Sequence, residues 1–401
     1  MINKTLVIST YILDDMSGSE PAAAYHFIKA VSKYFKTILV FTSQFTPEAI
    51  MHKLTDSSEN ITFVQTQFPL FFPKNRFGTF YLKYRIYLLR QSNQIQLMKL
   101  DPLTNIGIHY SLSNHLLGTS LYKSGIPYLF GPASTSKFSI RYIMIAQQAI
   151  IVEFIRFLCI RLVLRFDPVV RKSLKNARVI LAGDTRTQKL LKLSITSVNY
   201  TSTVIPHTTV DESQVREFTK KSGNKKNLMW CGAFTSRKDP KMALEVMRTL
   251  RESYGRDDFT LEMYGSGKKL NELVRFKEKH KLQNVEIHSW IKKDLLIARM
   301  TQTKILLFTS YRESGGAQLL EALACEMNVV STDATGAIDW LSGSSIKFLG
   351  PPKILSRKHF AQIIAEEVLR QYESEHRSTE ISQFTVEKQV SQICEILRLF
   401  N

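Results

Sequence analysis

The strongest indication of a chemical function in this chain comes from two glutamates, Glu313 and Glu321. The apolar run Ile305–Phe308 predicts a buried parallel strand, and Ala317–Glu326 predicts the helix that follows it. Glu313 then lies in the loop after a strand, where open α/β sheets bind their ligands. Glu321 lies in the helix among leucines and alanines, where a carboxylate is costly to bury unless a donor such as a ribose hydroxyl bonds to it. The alternative is that Glu321 faces solvent and Glu313 is an ordinary loop residue.

Two adjacent cations, Arg237 and Lys238, precede a predicted helix that starts at Pro240. The strand before them ends at Gly232, where the missing side chain lets backbone approach a ligand closely. Arginine and lysine in front of a helix N-terminus suit a diphosphate. The alternative is a solvated turn that carries two exposed cations.

Two further glycine turns are candidates for contacts with a ligand. Gly265 follows a second predicted strand, although such turns are common in α/β folds. Gly18, in Met16–Pro21, precedes a helix near the N-terminus. This turn either closes on a leaving phosphate or simply reverses the chain.

Length and composition indicate a soluble protein of two domains. The chain has 401 residues, which is too long for one core, and its 44% hydrophobic and 22% charged content is ordinary for globular proteins. Its four cysteines are scattered in apolar segments, which favours reduced core thiols over disulfides or a metal site. No apolar run predicts a signal peptide or a spanning helix, so we expect a cytoplasmic protein.

Positive charge is concentrated in the first half of the chain. The net charge is +19, with +14 in residues 1–200 and +5 in the remainder, which indicates a polyanionic partner. Aromatic and basic residues alternate in Phe71–Arg85, and Arg141–Arg165 is predicted as one long apolar helix with interspersed arginines. This pattern favours peripheral contact with an anionic membrane, on its cytoplasmic face, over nucleic acid, because no nucleic-acid module is visible. The alternative is core helices whose arginines extend to solvent.

Strands and helices alternate on both sides of a polar segment, Lys220–Asn227, which predicts two Rossmann-like parallel-sheet domains facing an interdomain cleft. We assign residues 1–205 to the first domain, 206–385 to the second, and 386–401 to a C-terminal helix that packs back toward the first. The strands are predicted at Leu6–Tyr11, Thr37–Phe41, Ile61–Val64, Ile106–His109, Pro127–Phe130, Val179–Leu181, Leu228–Cys231, Thr260–Tyr264, Val285–His288, Ile305–Phe308 and Val329–Ser331.

Together these residues resemble the retaining, nucleotide-sugar-dependent glycosyltransferases of the GT-B fold, specifically glycosyltransferase family 4. The resemblance is strongest from Leu228 to about Leu341. Within the family, Ser310–Gly316 is similar to the Ser-x-Arg-[Asp/Glu]-x-Gly-Gly stretch of bacterial polysaccharide-assembly enzymes, and Gly131-Pro132 matches a Gly-Pro after a strand of their first domain.

The resemblance implies a role for each matching residue. Arg237 and Lys238 would neutralise the donor diphosphate, Glu313 would act at the donor sugar, and Glu321 would accept from ribose hydroxyls. The backbone amides of Ser314, Gly315 and Gly316 would also face the donor, as would the turns at Gly18, Gly232 and Gly265. The resemblance further implies a glycan acceptor, lipid-linked in our interpretation, and a role in assembling capsule, exopolysaccharide or O-antigen lipopolysaccharide.

The sequence departs from the family pattern at two places. Ser17 replaces the first glycine of the Gly-Gly turn, and Gly131–Ser134 lacks the family's histidine, which leaves His109 as a possible contact with sugar or acceptor. His109 is otherwise a loop or core histidine. No Asp-x-Asp motif occurs, so we expect no metal and no cofactor besides the donor. The alternatives are a GT-B nucleotide-sugar epimerase, or a member that binds the donor without turnover.

Overall fold

The computed structural model describes residues 2–15, 20–68, 79–135, 139–147, 150–194, 202–210, 227–341, 343, 345–374 and 381–400. The chain forms two compact units that are interleaved along the sequence. Unit 1 comprises residues 1–135, 158–209 and 386–401, and unit 2 comprises residues 136–157 and 210–385.

Unit 1 is built on a seven-stranded parallel sheet in the order β3-β2-β1-β4-β5-β6-β7. Its strands are β1 Ile2–Ser9, β2 Phe35–Ser43, β3 Ile61–Thr66, β4 Asn105–His109, β5 Tyr128–Ala133, β6 Val179–Ala182 and β7 Ser202–Val204. Its helices are α1 Glu20–Val31, α2 Glu48–Ser57, α3 Thr79–Leu97, α6 Pro168–Lys175, α7 Thr185–Ser194 and α13 Val386–Arg398.

Unit 2 is built on a six-stranded parallel sheet in the order β10-β9-β8-β11-β12-β13. Its strands are β8 Asn227–Cys231, β9 Leu261–Tyr264, β10 Val285–His288, β11 Thr303–Phe308, β12 Asn328–Thr332 and β13 Ile346–Leu349. Its helices are α4 Ile140–Ile145, α8 Pro240–Tyr254, α9 Leu270–Lys279, α10 Lys293–Met300, α11 Ala317–Ala324 and α12 Arg357–Glu373. Helix α5, Ile150–Phe166, begins in unit 2 and ends in unit 1.

Both faces of the second sheet are buried, which explains why its strands are nearly continuous apolar runs. Successive side chains of a strand point to opposite faces. Accordingly, Leu228 and Trp230 of β8 belong to one hydrophobic cluster, whereas Met229 and Cys231 belong to another. The two parallel sheets predicted from the alternation of strands and helices are confirmed.

Helix α4 lies in the first half of the sequence but packs in unit 2. Tyr142 and Ile145 are buried in the main cluster of that unit. The Tyr142 hydroxyl donates to Asp333 Oδ1 (2.9 Å) and to the Leu349 carbonyl (2.7 Å), and Arg141 donates to the Pro352 carbonyl. The C-terminal helix α13 packs in unit 1, where it contacts α1.

The prediction of one long helix over Arg141–Arg165 was wrong. Helix α4 ends at Ile145 and α5 begins at Ile150. Between them Gln147 has a φ of 54°, a left-handed conformation that an α-helix cannot continue through. Of the helices that the structure describes, none has the length and apolar content needed to cross a bilayer.

Candidate active site

Most of the predicted site residues of unit 2 lie in loops at the carboxyl ends of neighbouring strands, and Glu321 lies in the helix that follows one of these loops. Strands β9, β8, β11 and β12 are adjacent in the sheet and all run in the same direction. The loops that follow them therefore meet at one edge of the sheet. This is where parallel α/β sheets bind ligands, and it holds both the cation pair and the two glutamates.

Glu313 is the centre of this cluster. Its Oε2 atom is 2.8 Å from Arg237 Nη1 and 2.7 Å from Lys238 Nζ. Burial alone would raise the pKa of Glu313, but Lys238 and Arg237 outweigh burial and hold the pKa below its usual value. The carboxylate is therefore ionised at neutral pH. The structure thus brings together the three residues for which the sequence predicted catalytic roles.

The turn that carries the two cations is fixed by residues that the sequence analysis did not single out. Thr309 accepts from the Trp230 indole (2.9 Å) and donates to the carbonyls of Lys238 and Asp239. The Tyr311 amide donates to the Arg237 carbonyl (3.2 Å). These bonds run from the end of β11 to the turn after β8, so the loop of Glu313 and the turn of the cations are bound directly to each other.

A buried ionic network extends this support. Asp239 has a φ of 47°, and both its carboxylate oxygens accept from Arg357, at 2.9 Å and 2.8 Å. Arg357 also donates to Glu245 Oε1 (2.7 Å) and to the Ile145 carbonyl. Because Arg357 begins helix α12, more than a hundred residues beyond Asp239, no local sequence pattern could have predicted this contact.

The loop of Glu313 is also tied to the loop after β12. Thr335 donates to the Gly315 carbonyl (3.0 Å), and the Gly336 amide donates to the Ser314 carbonyl (3.0 Å). Gly316 precedes helix α11 with a φ of 81°, which a residue with a side chain rarely adopts. Ser314, Gly315 and Gly316 thus stand next to Glu313 in a fixed loop.

Glu321 is buried in helix α11, with 8% of its surface exposed. It therefore does not face solvent, which was the alternative interpretation of the sequence. Its Oε1 atom forms an ion pair with Lys293, at the start of α10, a residue that the sequence analysis missed. Its Oε2 atom is buried and has no hydrogen-bond partner among the described residues. A buried carboxylate oxygen without a donor is unusual and suits a hydroxyl from a ligand.

The two glycines predicted at strand ends face each other. The Gly232 amide donates to the Tyr264 carbonyl (2.9 Å), and a Cβ atom placed on Gly265 would lie 1.9 Å from the Gly232 carbonyl oxygen. Gly265 is therefore required by the close approach of the loops after β8 and β9, whether or not a ligand binds there.

Two predicted site residues belong to the sequence range of unit 1. Gly18 lies outside the described residues. His109 lies in β4 of unit 1, 2% exposed, with its ring stacked on Phe130. Burial lowers the pKa of His109 to about 3, so it is neutral at physiological pH. This placement corresponds to the core histidine that the sequence analysis gave as the alternative to a ligand contact.

No group of three or more potential metal-binding side chains occurs in the parts of the chain that the structure describes. The positive charges that pair with Glu313 at this site come from Arg237 and Lys238.

Comparison with known proteins agrees with this geometry. Residues 211–383 match the family model "Glycosyl transferases group 1". These residues form a group 1 glycosyltransferase domain. No curated protein sequence matches the chain significantly.

Solved structures of similar fold cover nearly all of the chain. The structure of Anabaena Alr3699/HepE in complex with UDP has a TM-score of 0.64 at 14% identity and covers 99% of this chain and 100% of its own. The lipopolysaccharide outer core galactosyltransferase WaaB has a TM-score of 0.64 at 12% identity, covering 98% and 99%. The N-terminal domain of Candida albicans trehalose-6-phosphate phosphatase has a TM-score of 0.67 at 13% identity, covering 98% and 96%.

At these identities the structures show the fold alone. The predicted GT-B fold, with one seven-stranded and one six-stranded parallel sheet, is confirmed.

Proposed function

We propose that this protein is a retaining glycosyltransferase of family 4. It transfers a sugar from a nucleoside-diphosphate sugar to a hydroxyl of a glycan acceptor. The observation that carries this proposal is the convergence of Arg237 and Lys238 on Glu313 at the edge of the second sheet. The group 1 glycosyltransferase domain contains all three residues and supports the same conclusion.

The cation pair acts on the leaving group. As the bond between the anomeric carbon and the phosphate oxygen breaks, negative charge develops on the diphosphate. Arg237 and Lys238 are held in place by Thr309 and the Arg357 network, so little reorganisation is needed when that charge appears. Glu313 keeps both cations together and presents a carboxylate to the donor sugar.

Retention follows if the acceptor attacks on the face that the diphosphate leaves. The acceptor hydroxyl oxygen bonds to the anomeric carbon, and its proton passes to the departing phosphate oxygen. Every other group in this step remains unchanged. A general base from the protein is not required, and no residue is assigned to that role.

Glu321 and Lys293 are assigned to the nucleoside. Lys293 holds one carboxylate oxygen, and the other, buried and without a partner among the described residues, accepts from a ribose hydroxyl. UDP is the first nucleotide to test, because the similar Anabaena Alr3699/HepE structure contains UDP.

The acceptor is proposed to be a lipid-linked glycan at an anionic membrane surface, in the assembly of capsule, exopolysaccharide or O-antigen. Helix α5 supports this, because it exposes large apolar side chains together with Arg161 and Arg165. On α3, Lys83 remains a candidate for contact with lipid headgroups. Arg85 does not, because it pairs with half-buried Asp167 at 2.6 Å. Lys74 and Arg76 of the predicted aromatic-basic segment lie outside the described residues.

The proposal is tested by incubating the protein with radiolabelled nucleoside-diphosphate sugars and a bacterial membrane extract. A labelled glycolipid whose new linkage has the anomeric configuration of the donor supports it. Epimerised donor without transfer would assign the chain to the epimerases. Nucleotide binding without turnover would make it a donor-binding protein. A thermal-shift series with nucleoside diphosphates identifies the base in parallel.

A further inference from the structure

Helix α5 begins with an unusual set of exposed residues. Its first turns belong to unit 2 and carry large apolar side chains that are 44–72% exposed. These side chains are Ile150, Ile151, Val152, Phe154 and Ile155. Glu153 lies among them in the sequence but is only 7% exposed. These first turns thus expose their apolar residues and bury a carboxylate, the reverse of the usual arrangement.

The buried carboxylate of Glu153 has two cationic neighbours. Its Oε2 atom accepts from Arg156 Nε at 2.8 Å, one turn along the helix. Its Oε1 atom lies 3.6 Å from Arg312 Nη2. Arg312 is itself largely buried, and its Nε atom has no partner among the described residues. Burial and the charge of Arg156 lower the pKa of Arg312, and Glu153 opposes that shift.

Arg312 belongs to the loop that carries Glu313. Its carbonyl accepts from Arg237 Nη1 at 3.2 Å, and the same guanidinium nitrogen binds Glu313 Oε2. A short chain of contacts therefore connects Glu153 on α5 to Arg312, and Arg312 to the cation pair. Each of these residues is in unit 2.

From this chain of contacts we infer that Glu153 is a positioning residue that couples the docking of α5 on an anionic bilayer to the order of the 310–316 loop. The inference rests on the proposed function and adds a form of regulation to it. Without a bilayer, Glu153 Oε1 and Arg312 Nη2 are 3.6 Å apart, which is longer than a hydrogen bond. When the exposed apolar residues enter the interface of a bilayer, the helix is held in place, and Glu153 is held against Arg312.

A lipid surface fits the exposed residues of α5 better than a second copy of the chain does. Arg161 and Arg165, further along the helix, are both exposed, and the chain as a whole has a net charge of +19. Two copies that met through this helix would bring like charges together, whereas an anionic surface attracts them.

The test is hydrogen–deuterium exchange of the full-length protein with phosphatidylglycerol vesicles and, separately, phosphatidylcholine vesicles. In the wild type, anionic vesicles should slow amide exchange in residues 310–316 about fivefold or more, the lower end of ordinary coupling between sites. Glu153→Gln should still bind the vesicles but lose the slowing. The matched control is Glu278→Gln, a charge removal at an exposed position of α9, which should keep it.

A second variant separates docking from coupling. Ile151→Ser with Ile155→Ser should abolish vesicle binding and leave exchange in residues 310–316 at the vesicle-free rate. The inference is overturned if wild-type protein ignores anionic vesicles, if it binds them without a change in the loop, or if Glu153→Gln behaves as the wild type does. The inference is also overturned if the wild type does not bind vesicles but forms a dimer, and the double variant is a monomer. Because the readout needs no nucleotide, it stands or falls separately from sugar transfer.

Discussion

The carboxyl ends of the two sheets differ in how they use charge. In unit 2 the strand ends are followed by acidic and basic side chains that form ion pairs, with Glu313 between Arg237 and Lys238, and Glu321 against Lys293. In unit 1, His109 at the end of β4 and His115 in the segment after it are buried histidines. Burial lowers the pKa of His109 to about 3 and of His115 to about 4.

The difference indicates that the two units stabilise different chemistry. A preorganised set of charges suits a ligand whose own charge changes during the reaction, as a diphosphate does. The buried histidines of unit 1 are neutral and offer no such charge. Four variants would break or sharpen this comparison.

The largest effect is expected from removing the cations of unit 2. Arg237→Ala together with Lys238→Ala should lower kcat for sugar transfer strongly, because each charged contact to the leaving group contributes on the order of 2–4 kcal/mol in the transition state. The measurement is the initial rate of transfer at saturating donor. Arg275→Ala, at an exposed position of α9, is the control. A double variant that retains half of the wild-type rate would show that the cations do not act on the leaving group.

Removing the support of the cation turn should affect stability more than binding. Arg357→Ala leaves Asp239 and Glu245 buried without their common partner. Breaking a buried ion pair in this way costs about 3–5 kcal/mol, measured as the free energy of unfolding in urea. Arg357→Lys should recover part of it. If unit 2 unfolds at the wild-type urea concentration, the network does not hold the turn.

A smaller effect, on donor affinity, is expected at Glu321. Glu321→Gln replaces a charged acceptor for the ribose, and bonds to charged groups contribute about 1.5–3 kcal/mol. Nucleoside-diphosphate affinity, measured by calorimetry, should fall while kcat changes little, because ribose contacts are the same in the ground and transition states. An unchanged affinity would separate Glu321 from the nucleoside.

The smallest effect concerns unit 1 and its dependence on pH. His109 is neutral in the folded protein. At pH values between about 3 and its ordinary pKa of 6.5, it therefore takes up a proton only when the protein unfolds. Stability is therefore lost as the pH falls through 6.5. Between pH 7.5 and 5.5 this residue should account for about 1.4 kcal/mol of that loss. Over the same pH range, the free energy of unfolding of His109→Gln should fall by about 1.4 kcal/mol less than that of the wild type. An equal fall in the two proteins would show that His109 is solvated.

Much of the second unit could be predicted from the sequence because its signals are local. Apolar runs located β8 to β12 within two residues at their ends, and the strand-loop-helix order placed Glu313 at a sheet edge. The pairing of Arg237 and Lys238 with Glu313 could be expected in outline, since neighbouring parallel strands end at the same edge. Its distances and partners could not.

The contacts that fix the site depend on distant parts of the chain. Nothing in the sequence around Asp239 indicates Arg357, and nothing around Arg312 indicates Glu153, because neither pair lies within one element. The break in the predicted helix at Gln147 was also missed, since it is a change in backbone conformation at a residue with no turn-forming preference. Among the residues that were missed, Lys293 was the easiest to predict, because it follows β10 at the same edge of the sheet.

The interleaving of the two units has a consequence for how the protein is made. Residues 136–157 leave the ribosome long before 210–385, against which they pack, and unit 1 needs α13, which is synthesised after all of unit 2. At typical rates of about 5–20 residues per second, the apolar side of α4 waits roughly 10 to 45 seconds for its partner. Unit 2 is complete only after residue 385 has been synthesised, and unit 1 only after α13 has been. Chaperone binding to nascent chains should therefore persist until α13 has been synthesised. A chain cut within the 220–227 segment should yield two fragments that fold only together.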